Sequence, residues 1–496
     1  MPHATPQDTK IYHTRMGLPK HATCLFGRAG WQVSRLGFGC YRIDAVTPAH
    51  AEALAFALRN GINLIDTSTN YGDGESESLV GQVLQELIAT GEVRRAEVVI
   101  VSKAGYVQGK NLALAQQRER EGRPFPEMVK YMDNCWHCLH PDFLADQLDR
   151  SLARLQLDRL DVLLLHNPEY FLSHTVKQHA ELNAAKDEYY RRLAAAFAFL
   201  ETQVESGKIS WYGISSNTLP HPASHPEFTS LERVWNIAAR LAPHFGVVQF
   251  PFNLFETGAM RERNLNAGAQ TVLEFARAQN LATLANRPLN AMRSGSMTRL
   301  ASFETISSQQ AEEIFPQQLA AVERDFAARI CPELEFTHRL QNHDHIFDYA
   351  AQLAGGLHAF RNWAHWDYVR QYLIEPQSER ALDYLRHLSN NAALWQRWEA
   401  EFRSALHAVL TTLAQQHSAS VAEASEKIAV QLDHLAPALA TTPALSQKAL
   451  RVLLQSEGLH AVLLGMRRRA YVEDALHALC AEPIPNFYFD FNLWND

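Results

Sequence analysis

No stretch of the 496-residue chain approaches the ~18 consecutive apolar residues of a membrane-spanning helix, so no membrane partner is expected. Cysteine is scarce. Six residues over so long a chain form no disulfide framework, which points to a reducing cytoplasm. The opening residues, Met1-Pro-His-Ala-Thr-Pro-Gln-Asp-Thr-Lys10, have no apolar signal-peptide core, in keeping with that compartment. Positive charge is not in excess either: a formal charge of −8 and a pI near 6.3 argue against a nucleic-acid partner, because phosphate binding needs clustered cations. Low-complexity tracts are missing. What is present is an ordinary globular composition, 47% hydrophobic and 20% charged, long enough for one large domain or two to three smaller ones.

The pattern that repeats is a short apolar run followed by a helical segment. Residues 1–22 are polar, without periodicity, and read as a tail. Phe26–Gly30 with Trp31–Arg35 reads as a hairpin with glycines at its turn. Eight apolar runs follow: Arg35–Cys40, Ile62–Ile65, Val98–Lys103, Asp161–His166, Ile209–Asn217, Val247–Asn253, Leu281–Pro288 and Ala461–Gly465. Helices are expected near 47–60, 75–89, 141–155, 186–206, 231–241, 270–279, 446–455 and 470–480, with a long polar connection at 107–140. Regular strand-then-helix alternation predicts a parallel sheet, and eight such units match a closed (β/α)8 TIM barrel. The strands are continuous apolar runs rather than alternating ones, as expected when helices cover the outside.

One segment breaks the rhythm. About 150 residues, 294–442, separate the seventh strand from the helix before the eighth, far beyond the usual βα loop of ~2–6 residues. They read as a large helical insertion, with helices near 309–328, 346–363, 367–373 and 392–416 and no strand. The expected division is therefore a barrel over 23–293 and 443–496, with a subdomain over 294–442. The insertion's aromatics, Trp363, Trp366, Tyr368, Tyr372, Trp395 and Trp398, fall at helix-face spacings and read first as its own core. A lid over the mouth or an oligomer contact is the competing reading. The charged runs 118–123 and 375–380 read as solvated.

Four polar residues stand at or just beyond the ends of three consecutive strands: Asp66 and Tyr71 after the second, Lys103 at the third, His166 at the fourth. Singly each has a bland reading, Asp66 as a turn cap, Lys103 as a solvated strand end, His166 as a satisfied core histidine. In a closed parallel barrel, however, those ends meet at one mouth. A phenol with an unperturbed pKa near ~10 is a poor acid–base group at neutral pH. A nearby ammonium stabilises its phenolate, a carboxylate holds that ammonium, and a neutral imidazole orients a carbonyl oxygen. The set suits proton exchange with an oxygen whose carbon trades a hydride with a cofactor.

These segments resemble the aldo-keto reductase superfamily. Leu64-Ile-Asp-Thr-Ser-Thr-Asn-Tyr-Gly72 is similar to its Asp/Tyr signature, Val99–Lys103 to its lysine strand, Leu160–His166 to its histidine strand, and Gly27–Gly37 to its opening hairpin. The similarity covers about residues 24–293 and 443–482, not the insertion. It implies that Tyr71 is the general acid, Lys103 its pKa-lowering partner, Asp66 the partner of Lys103, and His166 the residue that orients the substrate carbonyl. It implies a nicotinamide cofactor, NADPH ahead of NADH, bound without a glycine-rich dinucleotide fingerprint. Ser216, Asn217 and Gln249 match carboxamide-contacting positions, and Gly39, Tyr41 and Asp66 line the cofactor cleft. Gly465-Met-Arg-Arg-Arg469, at a helix amino terminus, is an anion site in which Arg467 and Arg468 favour the phosphorylated cofactor.

Two positions depart from that pattern. Asn286, followed by Arg287, occupies the place where relatives carry an aromatic stacked on the nicotinamide. Ala475 stands where relatives carry an adenine-binding Asn. The run Cys135-Trp-His-Cys138-Leu-His140 has a C-x-x-C spacing with two histidines, but no second ligand cluster accompanies it, so no metal is expected. It reads as packing of a loop that rises beside the substrate. The expected function is an NAD(P)(H)-dependent oxidoreductase acting on a small-molecule carbonyl or alcohol. The competing reading is a cofactor-binding regulatory subunit with little turnover.

Overall fold

A computed structural model gives the fold and describes residues 3–179, 181–293, 296–301, 311–334, 346–354, 365–366, 369–485 and 489. Eight parallel strands close a barrel: β1 (Leu36–Gly39), β2 (Leu64–Asp66), β3 (Val99–Ala104), β4 (Leu160–His166), β5 (Ile209–Ser215), β6 (Phe245–Pro251), β7 (Ala282–Asn286) and β8 (Ala461–Leu464). Each pairs in parallel with its neighbour, and β8 closes on β1 through Val462, Leu463 and Leu464 opposite Leu36, Gly37 and Phe38. Strand residues two apart, such as Val99 and Val101, Val162 and Leu164, and Ala282 and Leu284, share one apolar cluster inside the barrel. The opposite rows face the helices, so both faces of every strand are dry and the runs read as continuously apolar.

The base is closed by the hairpin Thr23–Phe26 and Trp31–Ser34, whose Phe26, Trp31 and Val33 join that cluster. Its turn places Gly27 so near β7 that a Cβ there would lie 2.6 Å from the Ala282 nitrogen. Residues 1–22 are not a featureless tail. Pro6–Met16 is a helix capped by Thr5, whose hydroxyl accepts from the Asp8 N–H. Its Tyr12 is buried and donates to the Leu58 carbonyl at 2.6 Å, and His13 meets Asn63 at 3.1 Å. Its apolar face is short, so periodicity alone does not show it.

The connection after β3 is also structured. Tyr106–Val107, Cys135–His137 and Val129–Met132 form a three-stranded antiparallel sheet, and Gly109–Arg120 forms a helix. Val107, Phe125, Trp136, Cys138 and Phe143 make their own small core. Arg118, expected in a solvated run, stacks its guanidinium 4.2 Å from the Phe125 ring centroid. The six cysteines are free, Cys135 and Cys138 are buried, and the Cys138 thiol meets the Pro126 carbonyl at 3.4 Å. No metal-ligating cluster occurs among the described residues.

By contact density the chain divides into Met1–Leu300 with Leu432–Asp496, and Ala301–Gln431. Within the second unit, Trp366, Trp395, Trp398, Phe326, Phe347 and Phe402 pack one core. Trp398 stacks on Phe402 at 5.3 Å and donates its indole N–H to the Val322 carbonyl at 3.0 Å. The helix expected over 392–416 runs from Ala392 to Leu435, 44 residues. The helix near 309–328 appears as Ala311–Asp325 continued by a π turn, Phe326–Ile330, and that near 346–363 shows Tyr349–Leu353. The expected run 375–380 is the start of the helix Glu375–Arg386. Trp363, Tyr368 and the side chain of Tyr372 lie outside the described residues.

Candidate active site

β2 ends at Asp66, and the chain then turns through left-handed Gly72, Asp73 and Gly74 before the helix Glu75–Ala89. That turn returns Tyr71 to the mouth. The Lys103 ammonium, fully buried, donates to Asp66 Oδ2 at 2.7 Å, to the Thr67 carbonyl at 2.8 Å and to the Tyr71 hydroxyl at 3.2 Å. The Tyr71 ring lies 6.0 Å from His166, edge to face. Asp66, Tyr71, Lys103 and His166 thus meet in one cluster.

Burial pushes the Asp66 carboxyl up, opposed by the Lys103 charge. Burial works to depress Lys103, but Asp66 and then Tyr71 outweigh it and the ammonium is held above its ordinary value. Burial pushes the Tyr71 phenol up to about 12, although Lys103 pulls in the opposite direction. The expected lowering is therefore present as an influence and overruled in sum: the phenol keeps its proton. Burial, reinforced by the Lys103 charge, drives His166 well below its ordinary value, so the imidazole is neutral.

His166 is held from three sides. Its Nδ1 meets Ser68 Oγ at 3.0 Å, and its carbonyl lies 2.7 Å from His137 Nε2. The Tyr106 ring packs edge-on at 4.7 Å. Gly105 allows that approach: a Cβ there would sit 2.6 Å from the His166 carbonyl oxygen and 2.7 Å from His137 Nε2. His137 of the C-x-x-C run is thus a buried support beneath the imidazole, with its pKa lowered by burial to about 4.

Across the mouth, Gln249 Nε2 donates to Asp66 Oδ1 at 2.8 Å, while Gln249 Oε1 accepts from Ser215 Oγ at 3.1 Å and Asn286 Nδ2 at 3.4 Å. Gln249 is thus bound to the tetrad here. Asn286 Oδ1 is buried without a hydrogen-bond partner. Ser216 Oγ lies 3.2 Å from Thr218 Oγ1, and the Asn217 side chain lines a cavity of about 570 Å³ with Pro251, Phe255, Met260 and Phe489. Arg287, with φ 55°, pairs with Glu256 at 2.5 Å, so its guanidinium is committed to a neighbouring loop. Tyr41 is exposed and meets Tyr71 at 5.2 Å. Gly39 and Gly465 lie side by side: a Cβ at Gly39 would sit 3.3 Å from the Leu464 carbonyl. Arg468 stands at the N-cap position of the helix Arg469–Cys480 without a side-chain cap bond, Arg467 acts electrostatically on His50, and Arg469 pairs with Glu473. Ala475 is buried in that helix.

Two residues of this neighbourhood escape sequence reasoning. Ser68 sits inside the Asp66–Tyr71 signature, two residues past the acid. Glu169, three residues after His166, is buried; its Oε1 accepts from the Asn217 N–H at 2.8 Å and its Oε2 has no partner. Burial pushes its carboxyl up to about 7.

Eight parallel strands with this cluster at their carboxyl ends define a (β/α)8 TIM barrel with a polar mouth. The model of the aldo/keto reductase family matches residues 35–330, and the chain belongs to that family. It is 32% identical over 185 residues to the NADH-specific methylglyoxal reductase of Escherichia coli, covering 36% of this chain and 47% of that protein. It is 27% identical over 143 residues to the NAD(P)H-dependent D-xylose reductase of Scheffersomyces stipitis, 29% of this chain and 34% of that one. The alignments thus span between a third and a half of these relatives' own length. Among solved structures, an aldo/keto reductase from Klebsiella pneumoniae in complex with NADP and acetate aligns over 92% of this chain and 89% of its own, at 16% identity and a TM-score of 0.41.

Proposed function

We propose that this chain is an NAD(P)(H)-dependent oxidoreductase that reduces an aldehyde or ketone, or oxidises the matching alcohol, with Tyr71 exchanging the proton. The observation that carries the reading is the Asp66–Lys103–Tyr71 chain, 2.7 and 3.2 Å between successive partners, with Asp66 and Lys103 buried beside a neutral imidazole. A donor on the phenol oxygen makes the O–H a better acid, and Asp66 keeps that donor charged and in place. The phenol is protonated at rest, the form a reductase needs first. Neutral His166 orients the substrate oxygen beside it. The names of the two curated relatives support a small polar carbonyl as substrate.

The residues present fit a nicotinamide. A primary carboxamide both donates and accepts, and the orphaned Asn286 Oδ1, the Asn217 amide and Ser216 offer complementary groups, while Gln249 stays bonded to Asp66 and Asn286. Gly39, Gly465 and Tyr41 would line the cleft, and Arg467 and Arg468 would hold its phosphates, NADPH ahead of NADH. When bound, the cofactor supplies or accepts the hydride. The test is Tyr71→Phe. Turnover on a panel of aldehydes and sugars should fall by orders of magnitude while cofactor affinity, read by fluorescence titration, is kept. Undiminished turnover would end the mechanism. Asn286 in place of a stacking ring favours the second reading, a cofactor-binding regulatory subunit; tight NADPH binding without turnover on the whole panel, plus a co-purifying partner, would select it.

A further inference from the structure

Where β4 ends, the chain turns sharply. Asn167 takes the left-handed conformation, φ 47°, with its N–H on the Ser215 carbonyl at 2.7 Å, and Pro168 follows. That turn brings Glu169 back against the end of β5, almost wholly enclosed at 3% exposure. Its Oε1 accepts the Asn217 N–H at 2.8 Å, and its Oε2 has no hydrogen-bond partner. Its carbonyl accepts the Ser173 N–H at 2.9 Å in the helix Tyr170–Lys177. One residue therefore joins the segment that carries His166 to the turn that carries Ser216 and Asn217.

That turn has other supports, but none of them takes the Asn217 N–H. The Ser216 N–H donates to the Gln249 carbonyl at 2.9 Å, and the Thr218 N–H donates to Ser216 Oγ at 3.2 Å. Thr218 Oγ1 lies 2.9 Å from Thr229 Oγ1, which in turn meets the Tyr189 hydroxyl at 2.9 Å. A charged carboxylate only accepts, and it holds an N–H roughly twice as strongly as a neutral oxygen does.

The ionisable groups facing Glu169 are Tyr106 of the loop after β3, Tyr170 of its own helix, Tyr189 of the helix Leu182–Glu205 and Glu227 of the loop after β5. Burial raises all three phenols, so they keep their protons, and Glu227 accepts the Ser173 hydroxyl at 2.5 Å. Burial also raises the Glu169 carboxyl to about 7, against the pull of its own N–H, the Asn217 N–H and the Ser216 hydroxyl. Its charge therefore changes near neutrality.

We propose that Glu169 is a positioning residue for the cofactor: its carboxylate holds the Asn217 N–H and so aims the Ser216 hydroxyl and the Asn217 amide at the nicotinamide carboxamide. The charged form grips that N–H more tightly than the neutral acid, so cofactor affinity follows the charge on Glu169. Binding favours the ionised carboxylate and releases its proton to solvent, and affinity rises with pH through the neutral range before levelling off. The inference rests on the reading of Ser216 and Asn217 as carboxamide contacts.

The test is fluorescence titration of the full-length protein with NADPH, wild type beside Glu169→Gln, at about pH 5.5 and about pH 8.5, below and above the Glu169 titration. Any titration of the cofactor's own phosphate is common to both proteins and cancels in their ratio. The two should bind NADPH alike at the lower pH. At the higher pH the wild type should bind roughly tenfold more tightly, the gain from one charge-assisted hydrogen bond. Glu169→Asp keeps the charge but draws it one methylene back from the N–H. It should bind as Glu169→Gln does at the higher pH, and it takes that variant's place if the amide does not fold. Variants that lose thermal stability but keep wild-type NADPH affinity at both pH values would overturn the proposal and leave Glu169 a structural residue. A wild-type-to-Gln affinity ratio that does not change with pH would overturn it equally. A wild type that binds neither NADPH nor NADH would overturn the cofactor reading itself, whereas equal binding by the wild type and both variants would overturn this inference alone.

Discussion

The barrel has a buried ion pair at each end, and the two are built differently. At the base, Arg95 Nη2 donates to Asp161 Oδ2 at 2.7 Å, with both side chains almost wholly enclosed. Asp161 also accepts the backbone N–H groups of Ala4 at 2.9 Å and Ile100 at 2.8 Å, and Arg95 donates to the Val98 carbonyl at 2.7 Å. Those donors tie the amino-terminal helix, β3 and β4 into one corner. At the mouth the Lys103–Asp66 pair has the same separation, 2.7 Å. There Lys103 spends one N–H on the Thr67 carbonyl and one on Tyr71, while both Asp66 oxygens accept from side chains, Lys103 and Gln249. Backbone partners make the base pair a structural clamp. At the mouth the carboxylate is held by side chains alone, so it is the less firmly fixed of the two.

The sharpest way to break this contrast is to remove each cation in turn. Arg95→Met should cost about 3–5 kcal/mol in urea denaturation of the barrel, since it strands a buried carboxylate among fixed donors. Lys103→Met should cost clearly less than Arg95→Met, because Asp66 is already pushed toward its neutral form, while turnover is lost. Equal stability losses would erase the distinction between the two ends.

A gentler test uses pH. Glu169 has a folded-state pKa raised by burial to about 7, against 4.5 in an ordinary environment. The folded chain therefore holds a proton that the unfolded chain releases, and stability falls as pH rises from about 4.5 to about 7. Glu169→Gln should flatten that part of the urea-midpoint profile, an effect of order 3 kcal/mol. A profile unchanged by the substitution would remove Glu169 from the account of the mouth. The smallest effect is expected at the base: Tyr12→Phe loses one buried hydrogen bond to Leu58, about 1 kcal/mol, with turnover untouched.

What was legible in the sequence follows from what each residue does. Parallel strands dry on both faces announce themselves as apolar runs, so all eight were readable, and with them the strand ends bearing Asp66, Lys103 and His166. Elements held by polar contacts were not readable. Pro6–Met16 is secured by a cap, by Tyr12 and by His13 rather than by an apolar stripe. The sheet after β3 is built from strands of two to four residues, too short for alternation to register. The helix Ala392–Leu435 outruns its expected end at 416 because its later half is polar along most of its length. At the site, Tyr71 was found through a signature, but the pull of burial on its phenol depends on neighbours from several strands. Ser68 and Glu169 have no signature in isolation. Their roles exist only once Asn70, His166 and Asn217 are placed around them.

Gly105 carries a consequence for how such a protein diversifies. Only a hydrogen atom fits between the His166 carbonyl and the His137 ring, so that position pins the root of the loop sheet to β4. Beyond the pin, the loop has a small core of its own in Val107, Phe125, Trp136 and Phe143. It is in effect a cassette: mutation can rewrite its outer face while the anchor at Gly105 is kept.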